Sequence, residues 1–332
     1  MFNNKIIAIT GGTGSFGKKI INSIISKYKF KELRIISRDE MKQWFLQEKY
    51  KSNIKLKFII GDVRDKLSLD RAINGSDYVV HAAATKIVPT AELNPVECIK
   101  TNINGAINVI NSAIEHNVKK VIALSTDKAC NPINLYGATK LCSDKLFIAA
   151  NFLENNKKTV FSVVRYGNVM GSRGSVIPFF VRQQFDKEFT ITDKNMTRFM
   201  ITLDQAVDLV FYAINDSIGG EIYVSKIPSM KVIDIAKSIN SKKKIKYIGI
   251  RPGEKLHEVM CPQNSSSYTI EFKNFFVIAP SIIFLDRKKV NYLKYSNNVK
   301  GKSVKDGFEY SSDKNKVFLK GQKLKVKLKK LF

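Results

Sequence analysis

Cysteine, histidine and tryptophan are scarce in this 332-residue chain, which has four, three and one of them. The cysteines are far apart and form no C-x-x-C pair, so we expect buried thiols and neither a disulfide framework nor a zinc knuckle at Cys98, Cys130, Cys142 and Cys261. The histidines show no metal-ligand spacing, and we expect no metal site. No stretch approaches the ~18 apolar residues that a membrane-spanning helix needs, and the first residues lack a signal-peptide pattern. We therefore expect a cytoplasmic protein without a membrane span.

Acidic residues are outnumbered, because 29 Asp and Glu stand against 56 Lys and Arg and give a formal net charge of +27. Such a balance can indicate a nucleic acid, an anionic membrane or an anionic small substrate as partner. From residue 287 onward, fifteen basic and three acidic residues give +12, so nearly half of the excess lies in the tail. The chain has no RNP, KH, helix-turn-helix or zinc-finger pattern, and we expect no nucleic acid partner.

The end of this tail alternates lysine with apolar residues over positions 323–328. A period of two predicts an edge strand, with the apolar side chains inward and the lysines protecting the edge. The alternative is an anchor for an anionic surface. Because the tail lies beyond every motif described below, we expect that removing the chain from about residue 311 leaves its activity largely intact.

Short β-branched runs alternate with amphipathic stretches in the first half of the chain. Strands are predicted at residues 5–9, 33–36, 57–60, 78–81, 120–124 and 160–164. Helices are predicted between them, for example at 18–27 and 105–116, where apolar residues recur at three- and four-residue spacing. This alternation predicts an α/β fold of the Rossmann type, a doubly wound parallel sheet covered on both faces.

After about residue 165 the alternation gives way to turn-rich segments, with helices predicted at 204–215 and 231–238. We expect both helices in a smaller C-terminal lobe, so that a substrate lies between the lobes, beyond the carboxyl ends of the strands. The predicted division is a cofactor-binding domain at 1–165, to which later segments can return, a substrate-binding lobe at 166–290 and a basic extension at 291–332.

A glycine-rich loop follows the first predicted strand and opens a helix. Gly11, Gly14 and Gly17 have the spacing of a dinucleotide-binding fingerprint. Glycines let the backbone approach a pyrophosphate, whose charge then meets the exposed amides and positive dipole of the helix N-terminus. The predicted cofactor contacts of this loop are Gly11, Thr13, Gly14, Ser15, Phe16 and Gly17.

The second predicted strand ends at Ser37, Arg38 and Asp39, about 20 residues after the loop. At this place an acidic residue binds the adenosine ribose of NAD, and a basic residue accommodates the additional phosphate of NADP. Because Ser37 and Arg38 can both donate to a phosphate, we expect NADP rather than NAD, although Asp39 argues the other way. Further cofactor contacts are predicted at Lys42, Asp62, Val63, Ala82, Lys86 and Asn102.

Thr126, Asp127 and Lys128 lie at the end of the fifth predicted strand, and Tyr136 and Lys140 lie on the following helix. Tyrosine and lysine four residues apart share a helical face, so the ammonium can lower the phenol pKa and hold the cofactor ribose. A phenolate near the nicotinamide can remove a hydroxyl proton as hydride leaves the same carbon. The tyrosine and lysine on the helix are therefore predicted to act in catalysis and to contact the cofactor.

In this arrangement the chain resembles the extended short-chain dehydrogenase/reductase family. The segments 37–40, 94–102, 125–145 and 249–258 make it most similar to the inverting UDP-N-acetylglucosamine 4,6-dehydratases that begin pseudaminic acid synthesis, over roughly residues 5–285. The resemblance implies UDP-N-acetylglucosamine as substrate and UDP-2-acetamido-2,6-dideoxy-β-L-arabino-hex-4-ulose, with an inverted C5, as product. It also implies a homo-oligomer, from dimer to hexamer.

The resemblance further implies a role for each catalytic residue. Thr126 orients a sugar hydroxyl, and Tyr136 takes the proton of the 4-hydroxyl. Lys128 takes the C5 proton, and Asp127 protonates the departing 6-hydroxyl, as an adjacent base and acid can.

By the same resemblance, the UDP and sugar site is lined by Lys86, Asn168, Ser172, Arg173, Gly174, Ser175, Val176, Pro178, Phe179, Thr192, Arg198, Arg251 and Glu254. Arg173 and Arg251 suit the diphosphate because a guanidinium makes paired contacts to its oxygens, although either arginine could equally form a surface ion pair.

Ile87 stands where the resemblance implies a histidine, which leaves the sugar contacts near Lys86 open. Two other activities share the tyrosine, the lysine and the glycine loop and remain alternatives: a UDP-sugar C4 epimerase and a C5-retaining 4,6-dehydratase. A more distant alternative is a non-catalytic NADP-sensing or anion-binding protein. Such regulators usually lose the catalytic tyrosine or lysine, whereas this chain keeps both.

Overall fold

The computed structural model describes residues 1–156, 158–172, 174–281, 291–293 and 299–329. The helices are α1 (Ser15–Lys27), α2 (Glu40–Lys49), α3 (Lys66–Ile73), α4 (Val88–Leu93), α5 (Pro95–Ile99), α6 (Gly105–Glu115), α7 (Leu135–Ala149), α8 (Val176–Gln183), α9 (Leu203–Asp216), α10 (Val232–Ile239) and α11 (Gly321–Lys329). A π turn at Lys100–Asn104 joins α5 to α6, and short 3-10 turns lie at Asp127–Ala129, Ala150–Phe152 and Gln263–Tyr268.

The strands are β1 (Ile6–Thr10), β2 (Glu32–Ser37), β3 (Leu56–Ile60), β4 (Tyr78–His81), β5 (Lys120–Thr126), β6 (Val160–Tyr166), β7 (Asn168–Val169), β8 (Glu188–Ile191), β9 (Thr197–Ile201), β10 (Ile222–Ser225), β11 (Ser229–Lys231), β12 (Lys244–Tyr247), β13 (Val259–Cys261), β14 (Thr269–Glu271), β15 (Phe275–Ile278), β16 (Lys302–Ser303) and β17 (Tyr310–Ser311). The six strands predicted before residue 165 and the four predicted helices are confirmed.

A ten-stranded sheet forms the centre of the protein, in the order β16-β14-β15-β10-β6-β5-β4-β1-β2-β3. The strands from β10 to β3 run parallel, and β15, β14 and β16 extend the sheet in antiparallel pairing. The strand order reverses between β1 and β4, and doubly wound folds bind their ligands in the crevice at such a point. The predicted Rossmann-type α/β fold is confirmed.

Helix α9 belongs to the layer that covers this sheet. It packs on α1 and against β5 and β6, and it buries Val207, Val210 and Ile214 there. The prediction that residues 204–215 lie in the C-terminal lobe is therefore wrong. An amphipathic pattern shows which face of a helix is buried, but it does not show which layer receives that face.

A second, smaller core holds the C-terminal lobe together. Helices α8 and α10 pack on each other and on β8, around Phe180, Phe189 and Ile235. The C-terminal helix α11 packs on α10. None of the helices within the described ranges is both long and apolar enough to cross a bilayer.

Residues 323–328 lie within α11, so the predicted edge strand is wrong. Leu324 and Leu328, spaced four residues apart, are buried in the second core, whereas Val326 between them is 45% exposed. A strand would have placed all three apolar side chains on one face. The alternating pattern is compatible with the two-residue period of a strand and with the four-residue spacing of a helix. The helix forms because its two leucines then pack on the apolar surface of α10.

Candidate active site

The glycine-rich loop connects β1 to α1 at the point where the strand order reverses. Gly11 has a φ of +68° and lies against the backbone of Ala82, where a Cβ would stand 2.8 Å from the Ala82 carbonyl carbon. Helix α1 begins after Gly14, which provides no side-chain cap, and its first turn holds no acidic residue. The amides of residues 15–17 therefore form an uncapped helix N-terminus, which suits the charge of a pyrophosphate.

The end of β2 carries hydroxyl and guanidinium groups. Ser37 Oγ lies 2.8 Å from Thr13 Oγ1, and the Arg38 side chain is 54% exposed. Asp39 caps α2 by accepting a 2.9 Å hydrogen bond from the Lys42 amide, and it also pairs with the Lys42 ammonium. The Asp39 carboxylate is therefore engaged by its own helix.

Asp62 follows β3 beside Arg38. Its carboxylate accepts hydrogen bonds from the Arg64 guanidinium at 2.9 and 2.6 Å and lies 3.8 Å from the Arg38 guanidinium. Burial raises the pKa of Asp62, but Arg64 and Arg38 outweigh it and hold the pKa below its usual value. The neighbouring Val63 is buried.

Asn102 lies in the π turn between α5 and α6, an irregularity that often marks functional sites. Its side chain accepts from the Thr85 amide at 2.8 Å and donates to the Thr85 carbonyl at 2.9 Å and to Thr139 Oγ1 at 3.0 Å. Asn102 thereby ties the loop after β4, which also carries the exposed Lys86, to α7. Its predicted contact with a cofactor stays a prediction.

The end of β5 leads directly into a 3-10 turn that carries an acid and a base. Asp127 is fully buried, and its Oδ1 accepts from Thr126 Oγ1 at 3.0 Å and from Lys128 Nζ at 3.1 Å. Thr126 Oγ1 also accepts the Lys128 amide at 3.4 Å. Helix α7 packs against this turn, because Gly137 has no Cβ where it meets the Lys128 carbonyl. We call residues 126–128 the catalytic turn.

Tyr136 and Lys140 are both buried on α7. Burial raises the pKa of Tyr136 to about 12, against the Lys128 charge and a hydrogen bond with Thr126, which both lower it. Burial lowers the pKa of Lys140, and Asp144 opposes this shift. The cation with the largest effect on the pKa of Tyr136 is Lys128, and the predicted effect of Lys140 on the phenol stays a prediction.

One of the four cysteines lies on the surface of α7. Cys98, Cys130 and Cys261 are buried as expected, but Cys142 is exposed on α7. Its predicted burial is therefore wrong.

Asp144 and Arg165 form a buried ion pair behind α7 that the sequence analysis missed. Arg165 Nη2 lies 3.0 Å from Asp144 Oδ2, and the two side chains are 5% and 2% exposed. Ser125 Oγ donates to the same carboxylate oxygen at 2.6 Å, and Arg165 Nη1 donates to the Met260 carbonyl at 3.0 Å. This network holds the end of β5, one residue before Thr126, against β6 and β13.

Glu258, immediately before β13, is a second missed residue. Its Oε1 lies 3.3 Å from Lys128 Nζ, and its side chain is 2% exposed. Arg198 of β9, a predicted substrate contact, lies 3.8 Å from Glu258 and 3.5 Å from Glu254. Arg198 also donates to the carbonyls of residues 255 and 256. These charges form a continuous series from the loop at 251–254 to the catalytic turn.

The C-terminal segment supports Glu258. Ser312 Oγ accepts the Glu258 amide at 2.9 Å, and the Ser312 amide donates to the Glu258 carbonyl at 2.8 Å. Strand β17, just before, pairs with β13. Removal of the chain beyond about residue 311 would take away Ser312 and the buried leucines of α11, and the expectation that activity survives this removal stays a prediction.

The loop at 251–254 lies beside the N-terminus of α7. Arg251, whose side chain is 64% exposed, forms an ion pair with Glu254 at 3.0 Å. Asn134 caps α7 by accepting the Gly137 amide at 2.8 Å, and its amide group donates to the Gly253 carbonyl at 2.8 Å. This contact brings two predicted substrate residues close to the helix that carries Tyr136, the predicted catalytic tyrosine.

The remaining predicted substrate residues lie around the start of α8. Asn168 is in β7, which pairs with β9. Ser175 Oγ donates to the Ser172 carbonyl at 2.7 Å, and Thr192 follows β8. Val176, Pro178 and Phe179 lie in α8, Gly174 lies in the turn before it, and Arg173 lies outside the described residues. Their contacts with a sugar stay predictions.

A family model, two relatives and a solved structure resemble the chain along most of its length. A family model described as "Polysaccharide biosynthesis protein" matches residues 7–280. A UDP-N-acetylglucosamine 4,6-dehydratase (inverting) from Campylobacter jejuni is 54% identical over 95% of this chain and 94% of its own length. A UDP-glucose 4-epimerase from Rickettsia canadensis is 45% identical over 89% and 87%. Among solved structures, Pen from Bacillus thuringiensis covers 99% of this chain and 98% of its own, with 36% identity and a TM-score of 0.89.

Proposed function

The chain belongs to the polysaccharide biosynthesis protein family, and from this membership and the geometry of the catalytic turn we propose that it is an NADP-dependent UDP-N-acetylglucosamine 4,6-dehydratase that inverts C5. The observation that carries the proposal is the pairing of Asp127 with Lys128 at 3.1 Å, next to the buried Tyr136. For the oxidation of a sugar hydroxyl by a nicotinamide cofactor, the protein needs to supply only one base, the tyrosine. Removal of water from neighbouring carbons needs a base for one and an acid for the other, and this turn supplies both.

The proposed roles follow the order of the bonds that must break. Tyr136, with the sugar hydroxyl oriented by Thr126, takes the proton of the 4-hydroxyl. Lys128 then takes the C5 proton, which a 4-keto group makes acidic, and Asp127 protonates the departing 6-hydroxyl. When bound, NADP supplies the hydride acceptor for C4 and, once reduced, the hydride donor for C6.

The single proton that Lys128 and Asp127 can share fits these roles. Lys128 and Asp127 form an ammonium–carboxylate pair joined by one hydrogen bond. If the proton moves along that bond from Nζ to Oδ1, the pair becomes a neutral amine and a carboxylic acid with no change in total charge. The amine is the form that can accept the C5 proton, and the acid is the form that can protonate the leaving group.

The residues around the glycine loop fit NADP. The uncapped N-terminus of α1 suits the pyrophosphate, and the half-exposed Arg38 with the Ser37 hydroxyl suits the additional phosphate. Asp39, the acid that would favour NAD, is engaged as the cap of α2. We therefore propose NADP in preference to NAD, with Lys140 holding the nicotinamide ribose.

We propose that the sugar nucleotide binds between α8 and the loop at 251–254. Arg251 is the proposed partner of the diphosphate, because its guanidinium is largely exposed and Glu254 holds it in place. The segment from Asn168 to α8 and Thr192 would hold the sugar and the base. Arg198 is buried and does not reach solvent. Its guanidinium donates to the carbonyls of residues 255 and 256, directly after this loop, and so supports it.

Incubation of the protein with UDP-N-acetylglucosamine and NADP, followed by NMR of the product, tests the proposal. We expect a 4-keto-6-deoxy sugar with inverted C5. A product epimerised at C4 with its 6-hydroxyl intact would instead establish the epimerase, which the name of the Rickettsia relative supports. Retention at C5 would contradict the inversion alone.

Two lysine variants sharpen this test. Lys128→Ala should bind NADP normally and form no 4-keto-6-deoxy product, because the base for C5 is gone. Lys145→Ala, which removes an exposed lysine of α7, should turn over like the wild type. Normal turnover by Lys128→Ala would defeat the assigned role.

The resemblance alone supports two further parts of the proposal, a role at the start of pseudaminic acid synthesis and a homo-oligomer, from dimer to hexamer. We also propose a cytoplasmic location, which was expected before the resemblance was considered. Light scattering on the purified protein measures the oligomer directly, and a monomeric mass would contradict that part.

A further inference from the structure

Glu258 has no role in the steps above, although it is the second carboxylate at Lys128. Its Oε1 lies 3.3 Å from Lys128 Nζ, and Asp127 Oδ1 lies 3.1 Å from the same nitrogen. A buried carboxylate costs several kcal/mol unless charges or hydrogen bonds compensate it. The glutamate is therefore stable in this position because Lys128 is positively charged, and the two residues depend on each other.

Charged groups from several elements face Glu258. The catalytic turn contributes Lys128 and Asp127, β9 contributes Arg198 with its Nε at 3.8 Å, and Lys255 acts on the carboxylate from the same loop. The C-terminal segment contributes a neutral serine, which holds the backbone of Glu258 on both sides. Ser312 thus fixes the backbone of Glu258, and cations hold its carboxylate.

We infer that Glu258 is a positioning residue for the elimination step, where its carboxylate stabilises the ammonium that forms as Lys128 takes the C5 proton. The inference rests on the proposed dehydratase. In this step the C5–H bond breaks and its proton goes to Lys128 Nζ, while the electron pair forms the C5=C6 double bond. The C6–O bond breaks, and Asp127 gives its proton to the leaving oxygen, which departs as water.

The step leaves Lys128 as an ammonium and Asp127 as a carboxylate, the ion pair that the structure contains. A carboxylate next to the nascent ammonium makes the lysine a stronger base, in the way that a buried aspartate supports a catalytic histidine. Burial by itself lowers the pKa of Lys128, but Asp127 and Glu258 outweigh it and raise the pKa above its usual value. Burial and Asp127 raise the pKa of Glu258 above its usual value, and Lys128 and Arg198, which favour the carboxylate, offset this only in part.

Glu258→Gln keeps the size of the side chain and removes its charge. Loss of one negative charge beside Lys128 lowers the pKa of every proton held at the turn, so the profile of kcat against pH should move to lower pH by about one unit. The maximal kcat should fall roughly tenfold or more, because the base is weaker. With UDP-N-acetylglucosamine deuterated at C5, the isotope effect on kcat should increase, since proton abstraction limits the rate more strongly.

Glu221→Gln is the matched control. Glu221 is another buried glutamate, and its carboxylate accepts from Ser162 Oγ at 2.7 Å and from the Ile218 amide at 2.6 Å, away from the catalytic turn. This variant should lose stability yet keep the pH profile and the isotope effect of the wild type. A purely structural role for Glu258 would give the same result.

Thermal melting monitored by circular dichroism establishes that each variant is folded. Should Glu258→Gln fail to fold, Glu258→Asp, which keeps the charge but withdraws it by one methylene, should shift the profile in the same direction by a smaller amount. A folded Glu258 variant with the pH profile and isotope effect of the wild type would overturn the inference. Absence of dehydration by the wild type would contradict the proposed function and, with it, this inference.

Discussion

Replacing Asp144 with asparagine should destabilise the protein severely, because Arg165 would remain buried without its anion. The two side chains are 2% and 5% exposed and 3.0 Å apart, and Ser125 donates to the same carboxylate at 2.6 Å. Removing one partner of such a buried pair costs about 3–5 kcal/mol. The matched control is Glu309→Gln, which breaks the exposed pair with Lys314 and should cost no more than about 1 kcal/mol.

Urea unfolding followed by circular dichroism measures both variants. We expect a much lower midpoint for Asp144→Asn at an unchanged slope, and a midpoint close to the wild type for the control. The double variant Asp144→Leu/Arg165→Met should recover much of the loss, since apolar residues can replace a buried ion pair. A loss below about 1 kcal/mol in Asp144→Asn would refute the reasoning, because it would mean that the arginine is not buried as a charge.

Three further outcomes are expected. Arg38→Ala should weaken NADP binding by about 1.5–3 kcal/mol, through loss of charged hydrogen bonds, and leave NAD binding nearly unchanged in a titration; equal losses would contradict the assignment. Leu324→Ala should lower the free energy of unfolding by about 2–5 kcal/mol, whereas the half-exposed Val326→Ala should cost at most about 0.5 kcal/mol, and equal costs would contradict the packing of α11. Burial lowers the pKa of His81 from 6.5 to about 3, so its stabilising contribution is complete above pH 6.5 and is lost as the pH falls toward 3, by about 1.4 kcal/mol per pH unit. The free energy of unfolding of His81→Gln should therefore fall less steeply with decreasing pH over this range than that of the wild type. An unchanged slope would show that the histidine is not buried in its neutral form.

The first half of the fold could be predicted because each of its elements carries a local signal. Buried parallel strands are β-branched runs, and the helices between them have a clear apolar stripe, so their positions follow from the chain itself. The glycine loop and the catalytic turn were also predictable, since each lies at a strand end next to a helix start. The layer in which α9 packs could not be predicted, because it depends on its partners α1, β5 and β6.

The apolar pattern near the C-terminus is compatible with both a strand and a helix. Leu324, Val326 and Leu328 alternate like a strand, yet the two leucines are also four residues apart, as on a helix. The choice depends on α10, an element far away in sequence, and it places Val326 in solvent.

Glu258 and the Asp144–Arg165 pair were missed for a related reason. Asp144 and Glu258 lie within segments that carry the resemblance, but the sequence assigns them no role, because each acts on the catalytic turn only after the chain brings β13 and β6 beside β5. The tyrosine and the lysines of the site are encoded locally, and so is Asp127, which raises the pKa of Lys128. Glu258, which raises the same pKa, comes from a distant segment.

The contact between Ser312 and Glu258 also sets an order of events during synthesis. Every residue of the glycine loop, the catalytic turn and Glu258 itself is translated before Ser312 and α11. A nascent chain can therefore form the parallel sheet while the backbone of Glu258 still lacks its contacts with Ser312. The active site is complete only after the last part of the chain has been synthesised. A chain that ends before Ser312 should therefore fold its sheet but remain inactive.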